Sequence, residues 1–357
     1  MADYDEKKDV SPPGDHDAER GRFSDDDTSI HKGDLLSLEA VDPVLNAKMH
    51  LVNNAIDEIG FTPYHWKLFC LNGFGYAVDS LILLIQSIIA GAAANEFNPS
   101  FAYGLTIAAY VGMLVGALFW GLSADVIGRK YAFNLSLLIS SIFCIVAGAA
   151  PNWVSLGFFV SVASFGSGGN LVLDTAVFLE YLPSDKQWLL TLMASWWGVG
   201  QFIAGLFAWA FMPNFSCDPD TEACNWDTNP GWRYVWFASG GLVFVMSIAR
   251  VTVLRLRETP KFLVGEGRDA EVVDTMQFIA TKHGRTCSLT LERMEACGVT
   301  GGVPAGRRGS VSAHASKKFS FGEIGMHLKG LFATKKMGIS TSLIWFSWLL
   351  IGLAYPL

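Results

Sequence analysis

The sequence predicts an all-α membrane protein: a bundle of six transmembrane helices, then a long polar segment, then a partial seventh span. Three observations carry this. Hydrophobic residues make up 51% of the chain and charged residues only 17%, with a positive mean hydropathy, a balance that a water-soluble domain of this length does not sustain. The charges are unevenly placed, crowded into 1–67 and 255–336. Between those regions the chain breaks into apolar runs of roughly 20 residues, the length at which a helix crosses about 30 Å of hydrocarbon.

The six runs fall at 66–93, 101–122, 131–149, 154–182, 188–212 and 232–254, and a seventh at 337–357. Lys and Arg are retained on the cytoplasmic side during insertion. With the N-terminus inside, the cytoplasmic pieces hold Arg129, Lys130, Lys186, Arg255 and Arg257 together with every basic residue of the tail and the 255–336 loop. The outside loops at 95–100, 150–153 and 213–231 hold none, and Arg233 alone sits near the outer face. This orientation predicts a multi-pass protein with a cytoplasmic N-terminus, expected in the plasma membrane rather than an internal one. The polar, acidic start lacks the apolar core of a cleavable signal peptide.

Residues 1–41 form an acidic tail with too little apolar surface to offset chain entropy, and are expected to be disordered. At 42–60, Asp42 and Pro43 suit a helix start, and Leu45, Met49, Val52, Ile56 and Ile59 recur at helical spacing. Such a helix lies either on the inner leaflet or on the protein's own cytoplasmic face. In the loop at 255–336, residues 269–283 read as an amphipathic helix and 298–316 as a flexible Gly/Ser/Ala linker. Phe321, Ile324, Leu328 and Leu331 make a stripe suited to the membrane surface. Ser310, after Arg307 and Arg308 in the linker, suits a basophilic kinase or is simply part of a solvated basic segment.

Of the six cysteines, Cys70 and Cys144 lie within spans, and Cys287 and Cys297 lie in the reducing cytosol. Cys217 and Cys224 share the one sizeable outside loop, where oxidation to a disulfide is permitted. The rival reading, a metal site with Asp218, Asp220 and Glu222, lacks a histidine. Asn214-Phe215-Ser216 in the same loop is a glycosylation sequon close to the membrane. No phosphate-binding loop, metal cluster, or nucleophile paired with a base appears at motif spacing, so no enzyme, cofactor or nucleic-acid partner is expected.

The most specific motif joins the second and third runs. It reads GLSADVIGRK, 121–130. Gly121 permits close helix approach and Gly128 a tight reversal, while Arg129 and Lys130 anchor at the inner interface. Asp125 can meet a helix N-terminus or a base and close the cytoplasmic side in one conformation. The segment resembles the loop signature of major facilitator transporters, Gly-x-x-x-Asp-x-x-Gly-Arg-Lys. Further likenesses narrow the branch. Glu180-Tyr181-Leu182-Pro183 is similar to the Glu-x-x-Pro-x-x-x-Arg element of sugar-porter-like members, with Gln187 where the Arg would stand. Glu258-Thr259-Pro260 is similar to their Pro-Glu-Ser-Pro-Arg element. Phe74-Gly75-Tyr76 resembles the Phe-Gly-Tyr-Asp start of sugar porters, with Ala77 in place of the Asp and the acid at Asp79. Gly75 and Asp79 also match the Gly-x-x-x-Asp of phosphate transporters, with Ile82 in place of their second acid. The overall resemblance is to fungal transporters related to synaptic vesicle glycoproteins and sugar porters, over 42–357.

The resemblance implies that the first and fourth helices line a central cavity and that Glu180 joins the gating motif. An acid inside a membrane is costly, and Asp79 and Asp174 are therefore candidate proton-coupling sites, or else acids satisfied by neighbouring hydroxyls. Gln201, after Trp196 and Trp197, offers hydrogen bonds beside an aromatic wall for a polar solute, although the tryptophans equally suit packing. The expected function is proton-coupled, alternating-access transport of a sugar, an organic acid or phosphate across the bilayer. The alternatives are a non-transporting sensor of the same fold and an inactive fragment. The resemblance implies that the family's C-terminal half, otherwise missing after 357, is expected in the complete protein. The cavity sides of the first and fourth spans are therefore expected to be bare, with Asp79 and Asp174 facing lipid, a second copy or a water-filled defect.

Overall fold

The computed structural model describes residues 43–218, 223–254, 256–300, 331–332 and 334–354. The tail at 1–41, Ser310 and, of the stripe, Phe321, Ile324 and Leu328 lie outside the described residues. Every regular element among those described is helical, and six helices are long and apolar enough to cross a membrane.

In chain order, α1 (Pro43–Ile59) precedes the spans α2 (Pro63–Phe97), α3 (Gly104–Ile127), α4 (Arg129–Gly148) and α5 (Trp153–Tyr181). The fifth span is broken into α6 (Trp188–Met193) and α7 (Trp196–Phe215), and the sixth is α8 (Gly231–Ala249) continued by a π-helical turn, Arg250–Leu254. Beyond it come α9 (Pro260–Gly265), α10 (Asp269–Lys282), α11 (Leu291–Thr300) and α12 (Lys335–Ala354). Local chemistry sets several ends. Pro63 opens α2 where its missing N–H is not needed, and the Thr62 backbone N–H donates to His65 Nδ1 at 3.0 Å. Asn98 closes α2 in the left-handed region, φ 44°, its N–H donating to the Ala94 carbonyl. Asn152 Oδ1 accepts the Ser155 N–H at 2.9 Å, capping α5.

The bundle is organised around α2 and α5. α5 packs along α3 and α4, α2 packs along α7 and α5, and α8 closes the ring against α4 and α7. The α3–α5 seam is made by glycine. A Cβ on Gly112 or Gly116 would stand 2.1 Å from the Ser161 or Phe165 carbonyl oxygen, and one on Gly168 would stand 2.3 Å from that of Met113. Small residues four apart let two backbones touch, as membrane helices without a hydrophobic driving force require. Gly121 does not take part in this seam, contrary to expectation. A Cβ there would meet Val172 at an ordinary 3.7 Å. The outward faces of α3 and α7 expose Leu114, Leu118, Phe202 and Trp209, as a hydrocarbon-facing surface does.

α1, α9, α10 and α11 form a layer at the end that carries Arg129. α1 packs on α9, α10 and α11, with Val52, Ile56 and Ile59 buried beside Leu263, Val272, Met276 and Met294. Each such aliphatic side chain is worth about 1.5–3 kcal/mol as an upper estimate. Lys48 pairs with Asp269 at 2.5 Å, and Asp57 accepts both the N–H and the hydroxyl of Ser184 at 2.7 and 2.8 Å. The apolar stripe of α1 is thus covered by protein, the second of its two expected environments.

Candidate functional site

Asn72, Gly75 and Asp79 follow one another on one face of α2, and Asn170 and Asp174 lie one turn apart on α5. These faces meet inside the bundle. Arg250 enters from the π-helical turn, a distortion often found where a helix re-aims a functional side chain. Its Nη2 donates to Asp174 Oδ2 at 2.7 Å and its Nη1 to the Phe133 carbonyl at 3.0 Å, while Nε faces the Leu71 carbonyl at 3.4 Å. The guanidinium stacks over the Phe133 ring, 4.0 Å from its centroid. Asn72 Nδ2 donates to the Asp174 backbone carbonyl at 3.0 Å. One arginine thereby ties α2, α4, α5 and the end of the sixth span together.

Asp174 and Asp79 are 0% and 1% exposed. The expectation that they would lie bare on a cavity wall is corrected: both point into the bundle. The reason is Arg250, which sequence reading left without a role. A base inside the run 232–254 was the available signal. The two acids nevertheless differ. Asp174 has its ion pair, whereas among the described residues neither oxygen of Asp79 has a partner at full hydrogen-bond geometry. Asn170 and Ser167 of α5 face it, and Asn170 Oδ1 is occupied by the Ser136 hydroxyl at 2.9 Å.

The motif 121–130 is held by residues far away in sequence. Gly128 has φ +97°, and a Cβ there would stand 2.8 Å from Glu258 Oε2, so both backbone and space require glycine. Glu258 Oε1 accepts the N–H of Arg129 at 2.8 Å and of Lys130 at 3.1 Å. These are the first two amides of α4, so the carboxylate sits at the positive end of that helix. Arg129 Nη1 in turn pairs with Glu180 at the end of α5, 2.5 Å away, and the Tyr181 hydroxyl donates to the Arg257 and Glu258 carbonyls at 3.2 Å. Arg129 and Lys130 are thus joined to the ends of the fourth and sixth spans. Asp125 lies in the last turn of α3, and its side chain is outside the described ones.

Gln201 is half-buried on α7, next to the point where α7 presses on α2. A Cβ on Gly200 would stand 1.9 Å from the Ala77 carbonyl, and Ser80 donates to the Trp197 carbonyl at 2.7 Å. Trp196 lies against Gly73 of α2. Trp196 thus packs between two spans, the second of the two roles expected for it.

At the opposite end, Arg233 is buried and paired. Its two terminal nitrogens donate to the two oxygens of Glu96 at 2.7 Å each, and Trp226 and Trp232 stand 3.9 and 4.0 Å from the guanidinium carbon. Cys217 and Cys224 are joined as a disulfide with Cα atoms 5.6 Å apart, and the Cys217 N–H reaches Asn229 Oδ1 at 3.3 Å. Asn214 is exposed in the last turn of α7. Among the described residues no cluster of His, Cys, Asp and Glu could hold a metal ion.

A six-span bundle with buried charges and a charged knot at one end defines a membrane-embedded helical protein of transporter architecture. Residues 68–357 match the profile of the Major Facilitator Superfamily, and the chain belongs to that superfamily. It is 43% identical to MFS siderochrome iron transporter 1 of Ceriporiopsis subvermispora over 91% of this chain and 62% of that one. It is 25% identical to the synaptic vesicle 2-related protein of Rattus norvegicus over 78% of this chain and 48% of that one. Its fold is similar to that of the xylose transporter XylE from E. coli in a partially occluded inward open conformation, with a TM-score of 0.50 and 13% identity over 67% of this chain and 58% of that one. The chain therefore spans about half to six-tenths of the length of the curated relatives it matches.

Proposed function

We propose that the chain serves in secondary active transport of a small polar solute, driven by protons through alternating access, with Asp79 as the proton-binding group. One observation carries the reading: a carboxyl in the bundle interior that faces the polar Asn170 and Ser167 and that, among the described residues, has no partner at full hydrogen-bond geometry on either oxygen. Two acids and one guanidinium leave one negative charge uncompensated in that interior, and a bound proton removes it. Asp174 is the structural partner of Arg250. When the site opens to water on one side, Asp79 releases its proton there. The knot of Arg129, Glu180 and Glu258 holds one closed arrangement of the cytoplasmic end, and Asp125 and Lys130 belong to the same gate. Gln201 faces the solute path from α7.

In this reading the N-terminus is cytoplasmic and the membrane is the plasma membrane. A tag inserted in the 213–231 loop is then accessible outside intact cells, while one at Ser310 is protected. The solute belongs to the sugars, organic acids and phosphate. The relative named as a siderochrome iron transporter adds iron-bound siderochromes to the panel.

The test is uptake into vesicles containing the whole transporter under an imposed proton gradient. Asp79→Asn is expected to abolish accumulation while leaving the protein folded and able to exchange solute down its gradient. Accumulation in the mutant equal to the native level removes Asp79 from coupling. Absence of flux for every solute in the native protein favours the sensor reading.

A further inference from the structure

The segment 285–290 between α10 and α11 carries a second charged constellation, well apart from the bundle interior. Ser288 is exposed there, in a stretch with no helical hydrogen bonding. Arg285 stands three residues before it and Lys282 six before, both exposed. Two groups already hold the serine. Its backbone N–H donates to Glu58 Oε2, on the last turn of α1, at 2.8 Å. Arg293 Nη1 donates to the Ser288 carbonyl at 3.0 Å and to its hydroxyl oxygen at 3.1 Å.

We propose that Ser288 is a phosphorylation site for a basophilic protein kinase, and that Glu58 of α1 is the group that responds to the phosphate. Arg285 at −3 on the exposed, non-helical segment, with Lys282 at −6 on the last turn of α10, suits an enzyme that recognises a basic peptide. In the reaction Ser288 Oγ attacks the γ-phosphorus of a nucleoside triphosphate. The new O–P bond forms as the bond to the β–γ bridging oxygen breaks, the hydroxyl proton passes to the kinase's base, and the nucleoside diphosphate departs. The product carries close to two negative charges and three acceptor oxygens. Arg293 is already in place to take one of them, and Arg285 lies near in sequence.

Glu58 has the opposite fate. Its carboxylate is held against the serine by the backbone N–H and the side-chain hydroxyl of Ser288, with Thr286 and Arg293 beside it. Phosphorylation removes that hydroxyl as a donor, and a dianion on the same residue repels the carboxylate. The last turn of α1 is then released from the loop, while Lys48–Asp269 still holds the first half of the helix. That last turn leads through Gly60, φ +66°, directly into the first span. The modification therefore acts where the cytoplasmic layer joins the bundle. The inference rests on the cytoplasmic placement proposed above only for access in cells, so the experiment is run on purified chain with both faces open.

The detergent-solubilised chain is treated with a basophilic serine kinase and ATP, phosphate is located by mass spectrometry, and amide hydrogen exchange is followed over 51–59. Phosphate is expected on Ser288, with incorporation slowed about tenfold or more in Arg285→Ala and absent in Ser288→Ala. Exchange in 51–59 is expected to accelerate about threefold or more on phosphorylation, and by less than half as much in Glu58→Gln, which keeps an acceptor but has no charge. Failure to label Ser288, labelling indifferent to Arg285, unchanged exchange, or equal acceleration in Glu58→Gln each overturns the proposal.

Discussion

Asp174 and Arg250 meet at 2.7 Å in the bundle interior because residue 75 has no side chain. A Cβ on Gly75 would stand 1.6 Å from Asp174 Oδ2 and 2.3 Å from Arg250 Nη2. Gly75→Ala is therefore expected to destabilise by about 3 kcal/mol or more, since it must either part the ion pair or push α2 away from α5. Gly91, on the same helix, has open space where its Cβ would be. Gly91→Ala should be neutral or stabilising by up to about 1 kcal/mol. Thermal unfolding of both variants in one detergent decides, and equal melting temperatures would refute the steric account.

Removing one partner of a buried pair leaves the other charge uncompensated. Arg250→Met should cost about 3–5 kcal/mol, and adding Asp174→Asn should recover at least half of that, because the orphaned charge is then gone. If the double variant is as unstable as the single one, the arginine's bonds to the Phe133 and Leu71 carbonyls outweigh the ion pair.

Glu258 occupies the N-terminus of α4 from 129 residues away. Glu258→Ala should destabilise by about 1–2 kcal/mol, in the range of a lost helix cap, and Glu258→Gln by less, since an amide oxygen still accepts. Gly128→Ala should cost more than either, because φ +97° strains any side chain and the Cβ meets the same carboxylate. Denaturation midpoints for the three variants give the order directly.

Hydrogen bonds from the Ser288 backbone and side chain hold the Glu58 carboxyl below the usual glutamate range. A folded-state value below the unfolded one means that the stabilisation is complete above the ordinary glutamate pKa of about 4.3 and is lost as pH falls through the folded-state value. The contact between α1 and the 285–290 segment should hold from pH 8 to 5 and loosen only in stronger acid. A polarity-sensitive fluorophore on Asn54→Cys should report a flat signal over that interval and a transition below it, which Glu58→Gln removes.

The six spans were legible because a run of about 20 apolar residues has few other uses. Their ends were less so. The second run stops at Leu122, but α3 continues to Ile127, since its last turn can carry Asp125 once it has reached the interface. The fifth run looked continuous, yet Ala194 and Ser195 bond in the tighter i to i+3 pattern, Ser195 N–H to the Leu192 carbonyl at 2.9 Å. Hydropathy does not register such a break. Asp79 and Asp174 were readable as acids in apolar surroundings, and Glu180 through its resemblance. Glu258 was noticed through its resemblance but not its place on α4, and Arg250 and the Glu96–Arg233 pair were not read at all, because each finds its partner across a span of sequence that no local pattern encodes.

The glycine seam between α3 and α5 has a mechanical consequence. Backbone lies on backbone at Gly112, Gly116 and Gly168, so at those three levels no side chain stands between the helices to change rotamer and absorb a tilt. Any swing of one must carry the other as a single stiff plate. The compliance of the bundle is then left to the fifth span, whose break at Ala194–Ser195 interrupts the regular ladder and whose outward face is little covered by protein. Bending under load concentrates there, one turn from the contact between Gly200 and Ala77, so the elastic element of the fold lies beside the helix that carries Asp79.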